Sequence, residues 1–149
     1  MRFKDKVAVI TGAGSGIGRG AALAFANEGA KVVVSDINEE NGKETVTQIE
    51  TAGGTAPFIA ANVADYTAVK ALMQGAVDTY GRLDIALNNA GVGGPAVRTA
   101  DYDLKYWDIV IAVNQTGVLY CMKEALKHMQ GQGSGCIVNV ASTVSYTHL

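Results

Sequence analysis

Thr11-Gly12-Ala13-Gly14-Ser15-Gly16-Ile17-Gly18 carries the densest chemical signal in the chain, and the chemistry belongs to its backbone. The run lies between a strand-like segment, Lys6 to Thr11, and a helical pattern that begins at about Gly16. A helix that starts there directs free N–H groups and the positive end of its dipole at a ligand. Glycines let the chain turn sharply and approach a diphosphate without a Cβ in the way. The spacing is G-x3-G-x-G, through Gly12, Gly16 and Gly18, and not the commoner G-x-G-x-x-G. Glycines in such a run also serve plain turns. Asp36 adds a second signal. It ends the next strand-like segment, roughly 20 residues on, where a carboxylate can accept from the ribose hydroxyls of an adenosine. An aspartate there can equally cap the following helix, and the two roles do not exclude each other. Asp36 would repel a 2′-phosphate, and Ser15, Ile37 and Asn38 supply no positive charge to hold one. Electrostatics therefore favours NAD over NADP.

These residues need a scaffold that brings two strand ends together, and the rest of the pattern provides one. Lys6–Thr11 reads as a buried strand, and a helix from about Gly16 to Gly29 follows it. Lys31–Ser35 is a second strand, and Asn38 to Ala52 an outer helix closed by Gly53-Gly54. Thr55 to Val63 reads as a third strand, with Pro57 near its beginning, where a missing N–H is tolerated. Asp65 is an N-cap candidate for a helix to Tyr80. Leu83 to Asn88 is a fourth strand. A long helix covers about Leu104 to Met129, bent or interrupted near Asn114-Gln115-Thr116-Gly117. Gly131 to Gly135 turns into a fifth strand, Cys136 to Val140. Strands that are apolar on both faces must be covered on both faces. The alternation predicts one α/β domain, a parallel doubly wound sheet with right-handed crossovers.

Composition sets limits. Of 149 residues, 48% are hydrophobic and 17% charged, with a net charge of −2, which suits a folded domain and provides no basic field for nucleic acid or an anionic membrane. The apolar runs are too short to span a bilayer. The first residues lead straight into a strand without an apolar signal region, so a cytoplasmic location is expected. Cys121 and Cys136 have neither metal nor redox spacing and read as buried free thiols. His128 reads as a polar helix residue, and no metal is expected.

With these segments in place, the chain resembles the short-chain dehydrogenase/reductase family from about Lys6 to Ser142. Four motifs carry the resemblance in order: the glycine loop, Asn88-Asn89-Ala90-Gly91, Asn114 within Val113-Asn114-Gln115-Thr116-Gly117, and Ile137-Val138-Asn139-Val140-Ala141-Ser142. The resemblance implies a Rossmann-type fold, truncated at its C-terminal side. It implies that Gly12, Ser15, Gly16, Ile17 and Gly18 line the cofactor phosphates. Asp36 and Ile37 then sit at the adenosine, and Asn62 and Val63 border the adenine. The family often has aspartate where Asn62 stands, and an amide oxygen can still accept from the adenine amino group. Asn89, Ala90 and Gly91 border the cofactor ribose, and Val113 joins this cofactor set. Asn88 and Asn89 can also tie adjacent strands together, and both roles are expected.

The implied reaction is hydride transfer between a nicotinamide and an alcohol or ketone, so the expected partner is a small alcohol or ketone. By resemblance, Ser142 holds the substrate oxygen, and the helix of Asn114 supports a water that links a lysine to solvent. A Tyr-x-x-x-Lys pair is expected roughly a dozen residues after Ser142, as general acid/base and its electrostatic support. The sequence stops short of that place. Tyr146 comes too early, and Tyr80, Tyr102, Tyr106 and Tyr120 lack a lysine four residues on. Val144–Leu149 match the translation of a transposon end used to build sequencing libraries. Residues 144–149 are therefore expected to be adapter read-through appended to a domain of residues 1–143, a fragment without turnover. Family members assemble as homotetramers or homodimers, partly through the long helix, and the parent is expected to do so. Rival readings are a cofactor-binding module without catalysis, or an epimerase or dehydratase on the same fold. A methyltransferase fits the glycine loop but neither the Asn88–Gly91 run nor the Ser142 motif.

Overall fold

The computed structural model describes residues 1–142. The segment read as adapter-derived, 144–149, lies outside the described residues. Among the described residues, four strands form one parallel sheet: β1 (Val7–Thr11), β2 (Lys31–Ser35), β3 (Ile85–Asn88) and β4 (Cys136–Asn139), in the order β2-β1-β3-β4. Val9 pairs with Val33 on one side and Ala86 on the other, so the apolar strands are stacked in register. Successive side chains of a strand point to opposite faces, and β1 feeds two cores in this way. Val9 joins Val33, Leu72, Met73 and Ala125 on one face. Ile10 joins Val32, Val34, Ala22 and Ile49 on the other.

Helices α1 (Gly16–Asn27) and α2 (Glu39–Thr51) cover the second core, and α3 (Tyr66–Tyr80) helps close the first. Asn38 caps α2 by accepting from Asn41 N, and Asp65 caps α3 by accepting from the amides of Thr67 and Ala68. The long helix is interrupted, as its sequence suggests. Helix α4 (Leu104–Ile111) runs into a π-helical segment, Ala112–Gly117, and then α5 (Val118–Gln132). The π segment falls where a one-residue misfit is absorbed without breaking the helix.

The segment Thr55 to Val63 departs from expectation: it is no strand, and only Phe58 forms a bridge, with Val34. It does follow β2, because Val34 N donates to Pro57 O and Ile59 N donates to Val34 O, each at 3.0 Å. A parallel ladder would next need residue 57 to donate to Val32 O, and Pro57 has no N–H. Cys136 is likewise corrected. It is exposed on β4, while Cys121 is buried and desolvation pushes its thiol up to about 12.

Asp84 anchors the starts of β1 and β3. It accepts from Val7 N at 3.0 Å and from Arg82 Nε and Nη2 at 2.7 and 2.6 Å, with Lys6 Nζ at 3.4 Å. Burial raises its pKa, but the hydrogen bonds from Arg82 and Val7 and the charges of Arg82 and Lys6 outweigh it, and the net shift is downward.

Candidate functional site

All four strands run the same way, so their carboxyl ends share one edge of the sheet. The strand order reverses direction between β1 and β3, which is where doubly wound sheets open a crevice. A cleft of about 390 Å³ lies there. Its floor is the glycine loop, through Gly12, Ser15, Gly16 and Ile17. Asp36 and Ile37 flank one side with Asn62 and Val63, and Asn89, Ala90, Gly91 and Val113 form the other.

The structure thus brings together nearly all the residues singled out for a cofactor. Gly18 is the exception, lying beneath the cleft as a packing position. A Cβ on Gly18 would meet Gly12 O at 2.1 Å and Asn89 Nδ2 at 2.5 Å, so α1 can approach the strand end this closely only with hydrogen there. Ala61 and Val92 also line the cleft and carry no motif of their own; their only signal is adjacency to Asn62 and Gly91.

The loop is braced from the β3 side. Asn89 Nδ2 donates to Thr11 O and Gly12 O at 3.0 and 3.2 Å, and the amides of Asn89 and Ala90 share Thr11 Oγ1. Asn88 Nδ2 donates to Asn139 Oδ1 at 2.8 Å, joining β3 to β4. Both asparagines therefore tie strands. Ser15 stands at the N-cap of α1 but makes no side-chain cap hydrogen bond. The helix start consequently keeps its own N–H groups for whatever enters.

Asp36 does not cap the next helix, a task that Asn38 performs. Its Oδ2 accepts from Gly14 N at 2.8 Å and its Oδ1 from Asn38 N at 2.9 Å. Two amides hold the carboxylate at the cleft, where it is the one ionisable side chain among the lining residues. Ile17 and Ile37 are 72% and 73% exposed, an unusual state for large apolar side chains, and both edge the cleft. A cradle closed to any Cβ at Gly18, an uncapped helix start and a fixed carboxylate together fit a dinucleotide.

Asn114 and Ser142 do not line this cleft. Asn114 is turned to the loop after β3: its Oδ1 accepts from Val92 N and its Nδ2 donates to Val92 O, both at 2.8 Å. Its side chain positions backbone. Ser142 lies beyond β4, at the same edge of the sheet as the cleft, and is exposed. The sequence does hold one Tyr-x-x-x-Lys spacing that the reading above passes over, Tyr66 and Lys70. Tyr66 Oη donates to the buried Glu124 Oε1 at 2.5 Å, and Lys127 Nζ reaches the same carboxylate oxygen at 2.6 Å. Tyr66 therefore joins α3 to α5 and takes no part in the cleft.

Comparison with known proteins agrees with this geometry. Residues 6–149 match the family described as short chain dehydrogenase. An uncharacterized oxidoreductase of Thermotoga maritima is 47% identical over 144 residues, covering 95% of this chain and 55% of that protein. The cyclohexanol dehydrogenase of an Acinetobacter species is 44% identical, covering 95% of this chain and 56% of its own. Among solved structures, levodione reductase superposes with a TM-score of 0.91 at 37% identity, over 95% of this chain and 55% of that one. The chain spans about half the length of the curated relatives it matches. On the matched family, the four motifs and the parallel α/β sheet, this chain belongs to the short-chain dehydrogenase family.

Proposed function

We propose that the complete protein is an NAD-dependent oxidoreductase that moves a hydride between the nicotinamide and a secondary alcohol or ketone. The observation that carries the cofactor reading is the Asp36 carboxylate, pinned by two backbone amides beside the uncapped start of α1. That carboxylate accepts from ribose hydroxyls, and the α1 amides receive the diphosphate. No cationic side chain among the lining residues stands ready for a 2′-phosphate, which supports NAD over NADP. The nicotinamide supplies the hydride chemistry when bound. Ser142 would hold the substrate oxygen, and Asn114 would keep the Gly91-Val92 backbone in place beside the bound cofactor. The cyclohexanol dehydrogenase and the levodione reductase are named for ring substrates, so cyclic alcohols and ketones are the first to assay.

The chain of residues 1–149 by itself is proposed to bind cofactor without turnover, because its one Tyr-x-x-x-Lys pair lies outside the cleft. Residues 144–149 are proposed as foreign to the domain. Assembly of the complete protein as a cytoplasmic homodimer or homotetramer through the α4–α5 helix belongs to the same proposal.

The test is fluorescence titration of the complete gene product with NAD and NADP. Wild type should prefer NAD. Asp36→Asn keeps one acceptor for the loop amides but removes the charge. It should weaken NAD roughly tenfold, as expected for a lost charged hydrogen bond, and shift the preference toward NADP. An unchanged NAD to NADP ratio would sink the cofactor reading.

A further inference from the structure

Arg19, on the first turn of α1, has a side chain only 22% exposed, although a surface arginine would be free to extend into water. Its guanidinium is spent on the glycine loop and α2. Arg19 Nη2 donates to Gly14 O at 2.5 Å, to Glu44 Oε2 at 3.0 Å and toward Asn41 O at 3.3 Å. Arg19 Nε donates to Thr45 Oγ1 at 3.0 Å. The fully buried Thr45 hydroxyl in turn shares its proton between Ala13 O at 2.9 Å and Asn41 O at 3.1 Å, the shorter bond going to the loop.

Two successive loop carbonyls are thus held, Ala13 O by Thr45 of α2 and Gly14 O by Arg19 of α1. The carbonyl and N–H of a planar trans peptide point in opposite directions. With Ala13 O held by Thr45, Gly14 N–H faces the other way, where it meets Asp36 Oδ2. With Gly14 O held by Arg19, the Ser15 N–H is turned away from Arg19, and Ser15 lines the cleft. Gly14 itself is required, because a Cβ there would lie 2.8 Å from Asp36 Oδ2.

We propose that Arg19 is a positioning residue for cofactor binding: with Thr45, it locks the Ala13–Gly14 and Gly14–Ser15 peptide planes so that the Asp36 carboxylate and the Ser15 amide are presented to the adenosine half of a dinucleotide. The inference rests on the NAD reading above. Its distinctive feature is the planar fork, since one lysine ammonium cannot serve Gly14 O, Thr45 Oγ1 and Glu44 in the same geometry.

The experiment measures dissociation constants for NAD and ADP-ribose by calorimetry on the complete gene product, well below each variant's unfolding midpoint. Arg19→Lys retains the charge and should weaken both ligands by roughly tenfold. Thr45→Val should weaken both by a smaller factor. A purely structural role lowers the unfolding midpoint but leaves the affinity of folded protein intact. A purely Coulombic role leaves Arg19→Lys like wild type. Either of those results, or binding within twofold of wild type in Arg19→Lys, overturns the proposal. Wild-type protein that binds neither ligand instead overturns the NAD reading beneath it.

Discussion

A phenol four residues ahead of a lysine transfers protons only when both groups face the reacting atoms. Tyr66 meets the spacing and fails the geometry, because its hydroxyl is committed to Glu124. Tyr66→Phe in the complete protein should therefore leave the alcohol-dependent reduction of NAD within about twofold of wild type, while costing about 1 kcal/mol of stability for the lost hydrogen bond. A loss of turnover by orders of magnitude would return Tyr66 to the catalytic set. Residues differ in how far their sequence context betrays them. Asp36 is legible because its place after a strand, downstream of a glycine loop, has few uses. Arg19 is not legible, since an arginine in a first helical turn reads as a solvated charge until the carbonyls it grips are seen. Asn114 is half legible: its motif marks it, but its pairing with Val92 is a contact between segments distant in sequence.

At the scale of elements, two buried carboxylates tie neighbours together: Asp84 at the starts of β1 and β3, and Glu124 between α5 and α3. For Glu124, burial raises the pKa, but hydrogen bonds from Lys127 and Tyr66 and the charges of Lys127 and Lys123 bring the net shift downward. A lowered carboxylate pKa favours the folded state whenever the group is ionised. Both contributions are therefore complete above the ordinary values of 3.8 and 4.5 and are lost as pH falls from there through the lowered native values. Asp84→Asn should cost about 2 kcal/mol in urea unfolding at neutral pH, less than the roughly 3 to 5 kcal/mol of a fully buried broken pair, because Arg82 and Lys6 remain about half solvated. The same variant should flatten the fall in stability as pH drops below about 4. A urea midpoint unchanged at neutral pH would show that Asp84 anchors nothing. Strand and helix order is legible because burial on two faces gives continuous apolar runs, and because Asn38 and Asp65 announce helix starts. The failed strand at Thr55 to Val63 is a finer matter. Its apolar residues do follow β2, but one absent donor at Pro57 removes the bond that a continuous ladder needs, and periodicity does not register a single hydrogen bond.

For the whole molecule, the two edges of the sheet are unequal. On the β2 side the 55–61 segment covers the outer strand. On the other side β4 pairs only with β3 among the described residues, and Val138 and Val140 are 44% and 42% exposed. An open strand of this kind is a template for other chains. The polypeptide of residues 1–149, expressed alone, should self-associate in sedimentation velocity. Val138→Lys on β4 should shift it toward monomer, as charge on an edge strand does. Equal association in the variant would place the sticky surface elsewhere, on the exposed Leu104, Trp107 and Ile109 of α4.

The open flank at β4 also fixes the form such association takes. Two copies that meet there offer each other the same strand, so the joint is two-fold and self-complementary. Across that seam neighbouring strands run in opposite senses, although every described strand inside one copy runs parallel to its neighbours.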